Sequence, residues 1–390
     1  MFTPRRIIPV IVVSQFAGTS LWFAGNAILP DLQRRWNLDP DALASLTSAV
    51  QLGFILGTLF FALFAIADRF SARYLFLISS LSGALINACT LFAESFTVFL
   101  ALRFLTGICL AGIYPIGMRI AAGWYREGLG HAIGFLVGAL VVGTAFPHLV
   151  KGLRQTLEWQ AVTIVVSILA ASGGFLMVLA LKEGPHLSSN NVFTLRAIPA
   201  VFSESKFRSA AFAYFGHMWE LYTFWAFVPF LLSFYQTLHP TLQLNIPLWS
   251  FLIIGAGAVG CVGGGLLSRR IGSARVAFVQ LFVSGFSCLI SPFMLHTSPE
   301  IWLSFLIVWG ITVVGDSPQF SSLAATVAPR QFVGTALTVM NGIGFLITVV
   351  SIAVVGWLTQ VVAFEYIFLF LTLGPALGLR ALYPLVTKGS

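Results

Sequence analysis

The chain has 390 residues, of which 9% are charged and 58% are hydrophobic. Soluble globular proteins carry about 25% charged residues, so this composition excludes a soluble fold. The formal net charge is +8, which indicates a nucleic-acid partner only if the basic residues cluster on one face or segment.

Apolar stretches long enough to cross a bilayer, about 20 residues each, recur from one end of the chain to the other. The first follows the basic N-terminus; it is too long for a signal peptide and lacks a small-residue cleavage site. The sequence therefore predicts an all-α integral membrane protein. We predict twelve spans, at about 7–30, 43–67, 74–93, 96–122, 131–150, 160–181, 208–234, 247–268, 275–295, 301–326, 334–358 and 364–385.

The basic residues are distributed unevenly between the two sides of these spans. If both termini are cytoplasmic, the inside segments hold sixteen Lys and Arg residues, and the outside segments hold only Arg34, Arg35, Lys151 and Arg154. This positive-inside bias predicts a multi-pass protein of the cell inner membrane with both termini in the cytoplasm. The basic excess is thus explained by topology, and we expect no nucleic-acid partner.

One long polar segment divides six predicted spans from six. Residues 182–207 are rich in Pro, Ser and Asn and predict a cytoplasmic linker between bundles at 1–181 and 208–390. The two halves match at an offset of about 200 residues, since 107-GICLAGIYP-115 aligns with 310-GITVVGDSP-318. Repeated six-helix halves are an architecture of membrane transporters.

Two segments carry a resemblance to a known family. The segment 64-FAIADRFSAR-73 resembles the signature loop between helices two and three of the major facilitator superfamily, and 103-RFLTGICLAG-112 resembles its helix-four signature. The second copy of the loop, 265-GLLSRRIGSAR-275, has Arg269 where the family has an acid. The antiporter signature of helix five, a Gly-Pro pair, is present only as 143-GTAFP-147.

The resemblance implies a fold of twelve helices in two six-helix pseudo-repeats and transport by alternating access. It implies that helices 1, 4, 7 and 10 line a central cavity, and that Arg103 bonds carbonyls or an acid during the cycle. We expect Arg119 to pair with the signature loop rather than to anchor an anionic solute. The residues expected to gate transport are Asp68, Arg69, Arg73, Arg119 and Arg269.

Polar residues at helical spacing occur in the four spans that the resemblance assigns to the cavity. One example is the face formed by Trp22 and Asn26 in the first span. The residues expected to contact the solute are Gln15, Trp22, Asn26, Tyr114, Glu220, Asp316 and Gln319.

Glu220 and Asp316 lie near the middle of the seventh and tenth spans and are the only acids predicted inside the membrane. Charged groups there are costly and usually functional, so we predict that both carry coupling protons, with His217 and Arg103 as partners. The alternatives are that Glu220 only braces the bundle and that His217 and Arg103 are structural.

The sequence predicts a secondary active transporter of a small cationic or neutral solute, coupled to protons. An anion would need Arg103, Arg119 or His217 as its partner. Alternative functions are uncoupled or anion-exchanging transport, or a receptor-like member that binds without transporting. An enzyme is disfavoured because the histidines His131, His148 and His217 are predicted at different depths. The four cysteines lack metal-ligand spacing, so we expect no metal site. We also expect no cofactor, and a monomer.

Overall fold

The computed structural model describes residues 7–39, 41–125, 129–154, 157–186 and 193–387. The chain folds as two compact units, Met1–Thr194 and Leu195–Ser390. Both predicted cytoplasmic termini and residues 187–192 of the predicted linker lie outside the described residues. Within the described part of the linker, a short helix and the start of a long one are already formed.

Unit 1 is a bundle of helices in which every regular element that the structure describes is helical. Its helices are α1 (Ile7–Thr19), α2 (Ala24–Ala27), α3 (Leu29–Trp36), α4 (Ala42–Leu63), α5 (Ile66–Arg69), α6 (Ala72–Cys89), α7 (Phe96–Leu110), α8 (Tyr114–Trp124), α9 (Leu129–Leu153) and α10 (Trp159–Ala180).

Unit 2 repeats this pattern with fewer interruptions. Its helices are α11 (Ile198–Ser203), α12 (Ser205–Leu238), α13 (Ile246–Ile271), α14 (Ser273–Met294), α15 (Pro299–Gly315), α16 (Ser317–Val327), α17 (Val333–Val361) and α18 (Leu373–Thr387), the last preceded by a 3-10 helix over Phe364–Thr372.

Among the described residues, eleven helical stretches are long and apolar enough to cross a membrane, and α1 is a shorter apolar helix. Together they account for the twelve predicted spans and confirm the predicted all-α membrane architecture. Large apolar side chains such as Phe92, Leu179 and Phe293 remain exposed on the helix surfaces, as expected for a surface that faces lipid.

The first span is not the continuous helix predicted over residues 7–30. The α-helix ends at Thr19, and the chain turns before α2 begins at Ala24. The hydroxyls of Thr19 and Ser20 donate to the carbonyls of Gln15 and Ala17. Side-chain donors thus bond carbonyls in the last turn of the helix. This local competition with backbone bonding contributes to the interruption.

The fourth and tenth spans are each interrupted at the same place in the repeat. Unit 1 has a turn between α7 and α8, and unit 2 has one between α15 and α16. Pro115 and Pro318 stand in the first turn of the second helix in each pair, where the missing N–H costs nothing. A proline at that position suits the start of a helix and is unfavourable within a continuous one, so each proline favours the division of the predicted span.

Glycines bring the second span of each unit, α4 or α13, against the fourth span of that unit. A Cβ at Gly53 would overlap the carbonyl oxygen of Phe104, and a Cβ at Gly107 would overlap that of Val50. Unit 2 repeats the arrangement with Gly260. Small residues at such crossings let backbones approach closely, which is how helices pack where lipid weakens the hydrophobic effect.

Candidate functional site

The carboxylate of Glu220 lies on α12 at the centre of unit 2 and is 1% exposed. It accepts hydrogen bonds from Trp309 Nε1 at 2.7 Å, from Ser284 Oγ at 3.0 Å and from Cys288 Sγ at 3.3 Å. None of these donors is a cation. Three neutral donors compensate part of the cost of removing the charge from water.

Two aromatic neighbours hold the ring of Trp309, which donates this hydrogen bond. Its ring stacks on Phe224 with centroids 4.4 Å apart, and Phe305 packs against it at 5.6 Å. Because Phe224 lies one turn beyond Glu220 on the same helix, the stacking fixes where the indole N–H points. The acid, its donor and its supporting ring therefore join α12 to α15.

A second acid in unit 2 is paired with a base. His217 Nδ1 lies 2.9 Å from Asp316 Oδ1, with the two side chains 1% and 0% exposed. Asp316 stands at the interruption between α15 and α16, and His217 is one turn before Glu220 on α12. The rings of Tyr214 and Phe320 lie 5.8 Å and 5.5 Å from the imidazole.

Binding one proton makes this pair electrically neutral. With neutral imidazole the pair carries one negative charge, and with imidazolium it is neutral overall. His217 Nε2 has no hydrogen-bond partner among the described residues. The ring can therefore present a second nitrogen to a solute while Nδ1 stays on Asp316. Gln319, another expected contact, is buried one turn further along.

Arg103 is the buried charge of unit 1. Its Nη2 donates to the carbonyls of Leu21 at 2.6 Å and Trp22 at 2.8 Å, and its Nη1 donates to Asn87 Oδ1 at 2.7 Å. Asn87 in turn donates to Ser167 Oγ at 2.9 Å. The guanidinium thus bonds the turn that interrupts the first span and links it to α6 and α10.

The other expected solute contacts in unit 1 have diverse surroundings. Gln15 lies against α8, where a Cβ on Gly117 would overlap its amide oxygen. The ring of Trp22 packs on a phenylalanine of α4, and Asn26 donates to Thr47 Oγ1 at 2.7 Å. Tyr114 is half-buried at the start of α8. The structure thus groups Trp22 and Asn26 around the same interruption, whereas Gln15 lies on its α1 side.

The expected gating residues form one ion pair, one separate contact to a carbonyl and two exposed cations. Asp68 Oδ1 pairs with Arg119 Nη1 at 2.8 Å, which joins α5 to α8. Arg73 donates to the carbonyl of Leu181 at 3.0 Å, beyond the end of α10. Arg69 and Arg269 are exposed at the ends of α5 and α13.

Several residues of the site were missed from the sequence. Ser284 and Cys288 contact Glu220, and their spacing of four residues on one predicted helix is a signal that could have found them. The sequence also does not indicate that the indole N–H of Trp309 bonds Glu220. In unit 1, Gln51 and Thr144 are buried polar residues whose neutral side chains do not stand out in the sequence.

Comparison with known proteins bears out the family resemblance. The family model described as Major Facilitator Superfamily matches residues 11–352. An uncharacterized MFS-type transporter of Bacillus subtilis, YybF, is 21% identical over 72% of this chain and 69% of its own length.

Other relatives match over shorter regions. The probable sulfoacetate transporter SauU of Cupriavidus necator is 26% identical over 54% of each chain. NiaP of Bacillus subtilis, described as a niacin/nicotinamide transporter, is 26% identical over 42% of this chain. The chain spans only 54% and 40% of the length of these two relatives.

Among solved structures, the human organic anion transporter MFSD10 (TETRAN) has a TM-score of 0.73 at 16% identity, covering 98% of this chain and 100% of that chain. Likeness at this identity shows the fold. The sequence match and the shared fold together support the resemblance drawn from the two signature segments.

Proposed function

Because the chain belongs to the Major Facilitator Superfamily, we propose that it is a secondary active transporter that couples solute movement to protons. It is a multi-pass membrane transporter and not an enzyme, in line with its family and its relatives. The proposal adds the coupling ion, the residues that carry it and the placement in the cell inner membrane with both termini cytoplasmic. The two six-helix bundles, joined by the linker at 182–207, are the proposed moving parts.

The observation that carries the proposal is the buried contact between His217 and Asp316 at 2.9 Å. An acid within a membrane span is costly unless it is paired, solvated or protonated. Here its partner is the one side chain whose charge ordinarily changes near neutral pH. Binding one proton converts the pair from a net charge of −1 to neutral, so protonation changes which solutes can lie beside it.

Glu220 is proposed as a second proton acceptor that transmits protonation to the helices. As a carboxylate it accepts bonds from α14 and α15 through three donors. A protonated carboxyl group has one oxygen that must donate, so at least one of those bonds must rearrange. Protonation of Glu220 would therefore alter contacts between α12, α14 and α15.

For the solute, we propose a small organic acid taken up with a proton. SauU and NiaP are named for sulfoacetate and for niacin or nicotinamide, and the first two are anions at neutral pH. The protonated pair no longer repels an anion, and His217 Nε2 can then donate to it. The sequence-based preference for a cationic or neutral solute stays a prediction that the same experiment tests.

The test compares two solutes that share a ring and differ in charge. Purified protein in proteoliposomes is given labelled nicotinate or nicotinamide, with and without an inwardly directed proton gradient. We expect gradient-driven accumulation of nicotinate, and loss of that accumulation in Asp316→Asn with exchange preserved. Glu300→Gln, an exposed acid at the start of α15, is the matched control. Equal accumulation of nicotinate in Asp316→Asn and wild type would refute coupling through the pair.

A further inference from the structure

Three buried side chains on α4 and α9 have polar atoms with no hydrogen-bond partner in the described part of the chain, as Ser14, Gln15 and Ser80 do elsewhere in unit 1. The atoms on α4 and α9 are both amide atoms of Gln51, the hydroxyl of Thr144 and Nε2 of His148. Their exposures are 0%, 0% and 2%. Buried polar groups are nearly always bonded, so three such residues together need an explanation.

Gln51 faces the interruption of the first span. It lies on α4 between Thr47, which accepts a bond from Asn26, and Phe54, whose ring packs 4.9 Å from that of Trp22. Positions 47, 51 and 54 share one face of a helix. The neighbours of Gln51 on this face therefore contact Trp22, just before α2, and Asn26, within α2.

Thr144 and His148 approach the same interruption from α9. Their neighbour Gly143 lies directly against α1, where a Cβ would overlap the hydroxyl of Thr19. Thr144 and His148 are one turn apart, and so share a face of α9. The short helix α2 packs against both α4 and α9. The interruption therefore lies between the helix that carries Gln51 and the helix that carries the other two.

Internal bonding does not account for these side chains. Other buried threonines of unit 1 donate to a carbonyl three or four residues back, as Thr90 does to Asn87 and Thr47 does to Leu43. Thr144 makes no such bond. The nearby cation Arg103 has its two terminal nitrogens on carbonyls and on Asn87, so it supplies no charge partner for them.

We infer that Gln51, Thr144 and His148 form a solute-contact surface beside the interruption of the first span, and that it takes the hydroxyl or carboxamide group of the transported molecule. An amide, a hydroxyl and an imidazole can each donate and accept. They can therefore bind hydroxyl and carboxamide groups, which also donate and accept hydrogen bonds. They include no carboxylate that could pair with a cationic group. The inference rests on the transport function proposed above but neither on its coupling residues nor on the solute being an acid, so nicotinamide, the neutral solute of that test, is a suitable probe here.

The test measures access to each position from water, and then protection by a solute. In a background with serine in place of the four cysteines, Gln51→Cys, Thr144→Cys and His148→Cys are treated with a hydrophilic methanethiosulfonate reagent. Leu46→Cys and Leu136→Cys are the matched controls, since both leucines are 0% exposed on the same two helices. The replaced cysteines are Cys89, Cys109, Cys261 and Cys288.

We expect labelling at the three positions about tenfold faster than at the controls, because a solute site must open to water in each cycle. Excess nicotinamide or mannitol, which carry a carboxamide and hydroxyls, should slow it by about fivefold or more through occupancy. Labelling at the control rate would overturn the inference. Fast labelling that neither compound slows would overturn the solute assignment.

A second measurement guards against variants that fold poorly. Gln51→Ala and His148→Gln should weaken thermal stabilisation by nicotinamide or mannitol, whereas Leu136→Ala should lower the melting temperature without changing the response to either compound. An unchanged response in the first two variants contradicts the inference. Neither assay uses a proton gradient, so the surface can fail while coupling through Asp316 holds, and coupling can fail while the surface holds.

Discussion

At the scale of single residues, Glu220 combines a buried charge with three neutral donors, and this combination makes its substitution informative. Glu220→Gln keeps the size of the side chain but resembles the protonated acid. We expect exchange of labelled solute to survive and gradient-driven accumulation to fall to the level of exchange. Glu220→Asp keeps the acid but withdraws it by one methylene, so partial coupling should remain.

The measurement is uptake into proteoliposomes with and without an imposed pH gradient. Trp309→Phe serves as the companion variant, since it removes the 2.7 Å bond to Glu220 but keeps the aromatic stacking. If the Gln variant accumulates solute at the wild-type level, Glu220 is a structural brace and coupling rests on Asp316 alone.

The sequence was sufficient to single out Glu220 and Asp316, because an acid in an apolar run stands out by composition alone. It was not sufficient to pair His217 with Asp316, since these residues lie on different helices about 100 residues apart and only packing brings them together. Neutral hydrogen-bond partners of a buried acid are still harder to predict from the sequence. Ser284 and Cys288 are common on helices, so without their neighbours nothing marks them as donors to a buried carboxylate.

At the scale of elements, the interruption of the first span depends on Arg103. Replacing it with leucine would leave the carbonyls of Leu21 and Trp22 and the amide oxygen of Asn87 without this donor. Each buried unsatisfied group costs about 1–3 kcal/mol, so we expect a clear loss of stability. Thermal melting in detergent measures it, with Arg154→Leu on an exposed loop as the control for loss of a cation. A melting temperature equal to that of the control would contradict this role.

The signature loop offers a second prediction at this scale. Asp68 and Arg119 are 17% and 22% exposed and 2.8 Å apart, so their pairing is partly screened by solvent. We expect Asp68→Asn to slow turnover more than it weakens solute binding. Exchanging the charges, with Asp68→Arg and Arg119→Asp combined, should restore part of the turnover. Wild type, Asp68→Arg, Arg119→Asp and the combined variant form a double-mutant cycle for transport rate and binding, and additive effects would show that the contact is incidental.

Helix positions were predictable from hydropathy because a span in lipid must be long, apolar and helical. The interruptions were not, since they depend on which groups satisfy the freed carbonyls. Pro115 and Pro318 are visible in the sequence, but proline is tolerated within other helices here, as at Pro147 in α9 and Pro229 in α12. In the first span, the bonds from Arg103 come from a helix some 80 residues away.

At the scale of the whole molecule, the two units carry buried charges of opposite sign. Unit 1 has Arg103, bonded to carbonyls and an amide, and unit 2 has Glu220, bonded to an indole, a hydroxyl and a thiol. Asn87 and Cys288, which contact these charges, are separated by about the same 200 residues that relate the two halves. The contacting residues Asn87 and Cys288 are thus related by the repeat, whereas Arg103, on the fourth span, and Glu220, on the seventh, are not.

The orientation of the chain in the membrane gives the last prediction. Sixteen Lys and Arg residues on one side against four on the other set a bias that favours both termini in the cytoplasm. A cysteine placed at position 38, after α3, should therefore react with a membrane-impermeant thiol reagent added outside intact cells. A cysteine at position 190, in the predicted linker outside the described residues, should react only after the membrane is permeabilised. Both variants are made in the serine background, so that native thiols do not contribute. The reverse pattern would invert the whole topology and, with it, the assignment of the Asp68–Arg119 ion pair to the cytoplasmic side.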